Sequence, residues 1–343
     1  MSRGRFLPAV FLLALVHTGL GAPRPSRAQP LAERNELLLH QLEEVHKLSA
    51  EQMTRVRSIF DNSGFIGQGN PAITVHTVPA KECEAELALP EIGGIQDPEF
   101  ERICGAPYMA PLYDPLIAVA EESRACIDQF EFPNIPGVYP VVWVRANEAG
   151  QLCEAVGKRL CDAHEWEGAC AGRLEPPDYF FELAQGVDAA TAIERMRDRH
   201  NHVHAEDKVW SYGSSYRTGI CAASSQKSPD CGGGDWATCG SNTFPAGCFP
   251  ECRSSLGVYD LHGNAAEHMN LPLDEQQMSS RGSGLGYGYT EMKGSWFIFD
   301  GYKAHEDHCR WRAPFWHGSK VVDERSHRNY HLGFRCCKTI EPN

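Results

Sequence analysis

The chain has 343 residues, with 32 Lys or Arg against 45 Asp or Glu, a formal net charge of −13 and 14 cysteines. An acidic balance repels phosphate backbones and anionic lipid, which argues against nucleic acid and membrane surfaces as partners. The cysteines are even in number, all follow residue 80 and form no paired CxxC arrangement, so they read as disulfides of an oxidising compartment and not as a zinc ribbon.

Residues 1–28 carry Arg3 and Arg5, an apolar run from Phe6 to Val16, and small residues with candidate cleavage points after Ala22 or Ala28. This is the pattern of a secretory signal peptide, and the run is too short to span a bilayer. The expected location is secreted or periplasmic, with no membrane span. Cleavage after Ala28 removes four arginines and takes the net charge to −17.

Residues 29–78 form a helical N-terminal segment. Leu38, Leu42 and Val45 share one face, and Val56, Ile59 and Phe60 continue an apolar stripe. Ser49 with Gln52 reads as a capping box for a second helix and Gly64 as its stop, which predicts a short helical hairpin. From residue 79 to 343 the composition turns to Gly, Pro, Cys and aromatics. Helices are expected near Asn147–Val156, Ala163–Ala171 and Ala189–Arg197, and strands at Tyr139–Arg145, Gly294–Phe299 and Leu332–Cys337. The fold class is therefore α+β with much irregular structure, and the Gly-, Ser- and Cys-rich segment 212–255 needs staples or ions to hold one shape.

Three ordered blocks resemble the formylglycine-generating (sulfatase-modifying) enzyme family: Gly157-Lys158-Arg159-Leu160-Cys161-Asp162-Ala163-His164-Glu165-Trp166-Glu167-Gly168-Ala169-Cys170, then Gly257-Val258-Tyr259-Asp260-Leu261-His262-Gly263-Asn264-Ala265-Ala266-Glu267, then Leu332-Gly333-Phe334-Arg335-Cys336. Within the first, Asp162 with Glu165 is expected to cap a helix and Trp166 to enter the core. The resemblance is clearest over 104–338. It implies an asymmetric, C-type-lectin-like α+β domain with little regular secondary structure, here carrying the helical hairpin in front. It also implies a disulfide between Cys153 and Cys336, which would contribute about 4–5 kcal/mol in the chain-entropy model.

Asp260, Gly263, Ala265 and Glu267 have the chemistry of a hard-cation loop: two carboxylates, with a glycine that lets backbone carbonyls turn inward. In the family the matching positions bind calcium, through side chains at Asp260 and Glu267 and carbonyls at Gly263 and Ala265. The family's reaction uses Cu(I) between two thiolates to oxidise a substrate cysteine to an aldehyde with oxygen, and soft sulfur suits that ion. Here Lys293-Gly294-Ser295-Trp296-Phe297-Ile298 resembles the start of that segment and Cys309-Arg310-Trp311-Arg312 its end, but Ile298 stands where the first thiolate would fall. Cys309 is then either a surviving thiol, assisted by His305 and His308, or half of a disulfide, and the disulfide is the favoured reading.

His200, His202 and His204 would share one face of an extended strand and suit copper, zinc or iron, or else belong to a polar loop. Two functions follow. The first is an exported family member that binds a peptide, glycan or protein partner and has lost the two-cysteine copper site. The other is a divergent metal- and oxygen-dependent oxidase of a cysteine-containing protein or small thiol, with Cys309 at its centre.

Overall fold

The computed structural model describes residues 31–69, 95, 97–226, 242–281, 286–313 and 318–340. The expected signal peptide lies outside these residues. So does the first stretch of the segment that begins at residue 79.

The N-terminal hairpin forms as its pattern requires. Helix α1 (Leu31–His46) buries Leu38, Leu39 and Leu42, and α2 (Ala50–Ser63) buries Met53, Val56 and Phe60. Ser49 and Gln52 exchange side-chain and backbone hydrogen bonds at the start of α2, and Gly64 closes it at φ 65°. These apolar side chains pack on Phe132, Leu152 and Phe334 of the following domain. Each fully buried leucine or valine there contributes about 1.5–3 kcal/mol.

The other α-helices among the described residues are α3 (Pro98–Cys104), α4 (Ala146–Ala155), α5 (Ala163–Ala171) and α6 (Ala189–Val203). The strands are β1 (Gly67–Gln68), β2 (Met109–Leu112), β3 (Ala125–Asp128), β4 (Val141–Val142), β5 (Arg159–Leu160), β6 (Ala266–Leu271), β7 (Tyr289–Lys293), β8 (Leu332–Phe334) and β9 (Cys336–Thr339). They make three small sheets: β1-β4, an antiparallel β2-β3-β9-β5, and β7-β6-β8. In the last, β6 runs antiparallel to β7 and parallel to β8, with Glu267 beside both Lys293 and Gly333. Most of the domain is loop, which agrees with the α+β, little-regular-structure expectation.

Three strand expectations shift. Only Val141–Val142 of the 139–145 run pairs in a sheet, because Trp143 adopts φ 62° and leaves the extended region. The second strand ends at Lys293 instead of beginning at Gly294. Gly294 turns at φ 71°, where an added Cβ would stand 2.9 Å from the Leu261 carbonyl oxygen. Residues 295–299, expected as strand, therefore enter the core as loop and turn. The 332–337 run is split at Arg335 into β8 and β9, which lie in different sheets.

Disulfides hold this irregular body. Cys104–Cys126, Cys153–Cys336, Cys161–Cys337, Cys170–Cys309 and Cys221–Cys252 are bonded, and no free cysteine occurs among the described residues. Three of the five span 139 to 183 residues of sequence and all three start from the segment around α4 and α5.

Candidate functional site

Helix α5 stands at the centre. Glu165 accepts from the Asp162 backbone N–H at 2.9 Å, as a cap requires, while both its oxygens hold the Arg159 guanidinium. The Asp162 side chain does not cap the helix. It accepts from Ser279, Ser280 and Asn270 instead, because those donors reach it where the chain folds back. Trp166 is fully buried, as expected. Glu167, one residue on, receives Lys293 at 3.1 Å and Arg312 at 2.9 and 3.2 Å. Burial alone would raise its pKa, but Arg312, Lys293 and His200 hold it well below the usual carboxylate range.

Cys170 lies in the last turn of α5, and its sulfur is bonded to Cys309. Cys309 is wholly buried and is not a thiol in this structure. The imidazole against this sulfur pair belongs to His262, whose Nε2 lies 3.2 Å from Cys170 Sγ and 3.8 Å from Cys309 Sγ. His262 Nδ1 lies 3.0 Å from Asp307, whose other oxygen accepts from Ser295 Oγ at 2.8 Å. Ser295 in turn accepts from Gly263 N–H, and Ser211 N–H donates to His262 Nε2 at 3.1 Å. The chain of donors and acceptors is closed. It places a proton on Nδ1, toward Asp307, and leaves Nε2 accepting from Ser211 N–H.

His305 and His308 are engaged elsewhere. The His305 ring stacks on Trp311 with centroids 4.6 Å apart, and its Nδ1 meets the Glu306 carbonyl. His308 is buried, and burial with Lys293 and Lys208 lowers its pKa to about 4. A copper site between two thiolates does not fit these residues. Ile298 offers no ligand, and the Cys309 sulfur is taken.

The second and third blocks meet at Arg335. Its guanidinium grips both oxygens of Glu267 at 2.6 and 2.7 Å and donates to the carbonyls of Asp128, Gln129 and Tyr259. Asp260 accepts from Gly247 N–H at 2.7 Å, and Glu131 accepts from Asn264 and from Ala265 N–H. Gly263 is obligatory here, since at φ 73° an added Cβ would lie 2.6 Å from Ala222 backbone atoms. Three buried carboxylates thus share one guanidinium. Burial, and then their mutual repulsion, pushes Glu131 well above the usual range, and burial takes Asp260 to about 7. Glu267 is also raised by burial, despite Arg335.

The expected calcium ligands therefore fit in part. The excess negative charge and the Asp260 carboxylate suit a hard cation. Glu267 suits it only if it leaves Arg335.

The 200–204 cluster is not a strand. Helix α6 runs six residues past its expected end, to Val203, so His200 and His204 lie one turn apart on the same face and His202 is exposed on another. Both facing imidazoles meet Asp178. Asp178, Glu131, Arg335 and His262 were not singled out as site residues by the sequence reading. Arg335 and His262 lie inside the recognised blocks, whereas Asp178 and Glu131 are isolated acids whose roles depend on distant partners.

Taken together, the molecule is a disulfide-stapled α+β domain whose three sequence blocks interlock around a fully buried polar interior. Residues 124–340 match the model of the sulfatase-modifying factor enzyme 1-like domain, and the chain belongs to that family. Comparison with curated proteins found no match. Among solved structures, the crystal structure of CarF is similar at 11% identity and a TM-score of 0.30, covering 68% of this chain and 98% of that one. No described helix is long and apolar enough to cross a membrane.

Proposed function

We propose that this chain is an exported member of the sulfatase-modifying factor family that binds a peptide, glycan or protein partner and does not carry out the two-thiolate copper oxidation. The observation that carries the reading is the state of the reaction segment. Ile298 stands in place of one thiolate, and Cys309 is bonded to Cys170 beside a His262 whose two nitrogens are already engaged. Calcium has a place in the reading as counter-charge for the Glu131, Asp260 and Glu267 group. Asp260 and the carbonyls of Gly263 and Ala265 would hold it, joined by Glu267 on release from Arg335.

The test is incubation of the full exported chain with Cu(I), oxygen and a cysteine-containing sulfatase peptide. The expected result is neither aldehyde formation nor oxygen uptake above the peptide blank. Aldehyde formation that is abolished by Cys309→Ser would overturn the reading in favour of the divergent oxidase.

A further inference from the structure

We propose that Asp178, His200 and His204 form a binding site for one divalent transition ion, with zinc the best match, that ties the last turn of α6 to the loop following α5. The donor atoms are already gathered. Asp178 Oδ2 lies 2.9 Å from His200 Nδ1 and 2.9 Å from His204 Nε2, and the three atoms lie within 4.8 Å of one another.

His200 supplies the independent observation. Its side chain is 0% exposed, and Nε2 meets the Arg310 carbonyl oxygen at 2.6 Å, which fixes the proton on that nitrogen. Nδ1 is then a bare lone pair, and it has no hydrogen-bond partner although a carboxylate oxygen sits 2.9 Å away. A neutral imidazole left so would be an orphaned buried acceptor facing an anion, a costly arrangement. Two donors about 2.0–2.1 Å from one tetrahedral zinc ion stand roughly 3.3–3.4 Å apart. The gathered donor atoms are a few tenths of an ångström short of that spacing, and a small opening of the group would admit the ion.

The surroundings suit the assignment. The Nε2–H to carbonyl bond is the outer-shell contact that orients a metal-bound histidine. Arg312 holds the other Asp178 oxygen at 3.2 Å, leaving Oδ2 toward the imidazoles. The positive charges nearby, Arg312 and Lys293, are drawn to Glu167. Asp178 and His204 are 26% and 14% exposed, so water reaches the open side and completes the coordination. Imidazole and carboxylate donors favour zinc over calcium. His204 Nε2 is hydrogen-bonded to Asp178 Oδ2 at 2.9 Å, and metal binding would displace its proton.

The experiment is zinc titration of the chelator-stripped, full-length exported chain by calorimetry, with cobalt absorption spectra as a second readout. His204→Ala and Asp178→Asn are compared with His202→Ala; the fully buried His200 is left intact so that folding is preserved. One equivalent of zinc should bind to the parent and to His202→Ala. Loss of a direct ligand should cost more than the roughly 10–100-fold typical of an outer-shell change, and the visible cobalt bands should disappear with it. Absence of stoichiometric uptake by the parent, or equal affinity in His204→Ala and His202→Ala, would overturn the proposal. Neither result bears on whether Cys309 is oxidised, so the outcome is independent of the proposed function.

Discussion

Two buried ionic groups, one around Glu167 and one around Arg335, solve the same problem differently. Around Glu167, Arg312 and Lys293 hold the carboxylate well below its ordinary range against the penalty of burial, and the part-exposed Asp178 is lowered likewise by His200, His204 and Arg312. Around Arg335, Glu131, Asp260 and Glu267 share one guanidinium, and all three are pushed upward. The first group is balanced by the chain's own cations. The second is left with excess negative charge that a proton or a bound cation must offset. The difference teaches that full burial does not fix the sign of a shift; the local count of opposite charges does.

The sharpest break in that comparison is removal of each group's arginine. Arg335→Met leaves three carboxylates with no cation among them and should cost at least about 3–5 kcal/mol, seen as failure to fold or a large fall in denaturation midpoint. Arg312→Met leaves Lys293 on Glu167 and should cost clearly less. Equal losses would show that the two groups are not balanced differently.

The pH response separates them next. Asp260 keeps its proton to about pH 7 when folded, against an ordinary value of 3.8. Its contribution is therefore complete in acid and is lost as the pH rises through 7, by at most roughly 4 kcal/mol. Asp178 and Glu167 have the opposite sign: their contribution is present above the usual carboxylate range and is lost as the pH falls through it. Urea unfolding from pH 4.5 to 8 should show stability falling toward high pH, and Asp260→Asn should flatten that slope. An unchanged slope in the variant would remove Asp260 from the account.

Calcium gives a smaller effect. It should raise the melting temperature by a few degrees at pH 8, where Asp260 ionises, and less at pH 5.5. The same shift in Asp260→Ala with Glu267→Ala would place any bound calcium elsewhere. Smallest of all, His202→Ala on the exposed face of α6 should change stability by less than about 0.5 kcal/mol.

These partners also mark the limit of what the sequence reveals. The hairpin was legible because α1 and α2 are set by local periodicity, a capping box and a terminal glycine, all within one or two turns of chain. The fold of the domain was legible through the three blocks, which the structure brings together at Arg335 and along β6. The state of the reaction segment was only half legible. Ile298 is visible in the sequence, but the partner of Cys309 is 139 residues away and depends on where α5 ends. The His200–His204 reading chose the wrong period, because a polar run after Arg197 carries no apolar stripe to signal that the helix continues. Asp178, which both imidazoles face, stands alone in the sequence.

Peptide mapping of the protein after alkylation without reduction shows most directly whether a thiolate survives in the segment that carries Cys309. The account predicts that the peptide containing Cys309 is recovered joined to the peptide containing Cys170, with neither cysteine alkylated. Recovery of Cys309 as an alkylated single peptide would contradict this and favour the divergent oxidase.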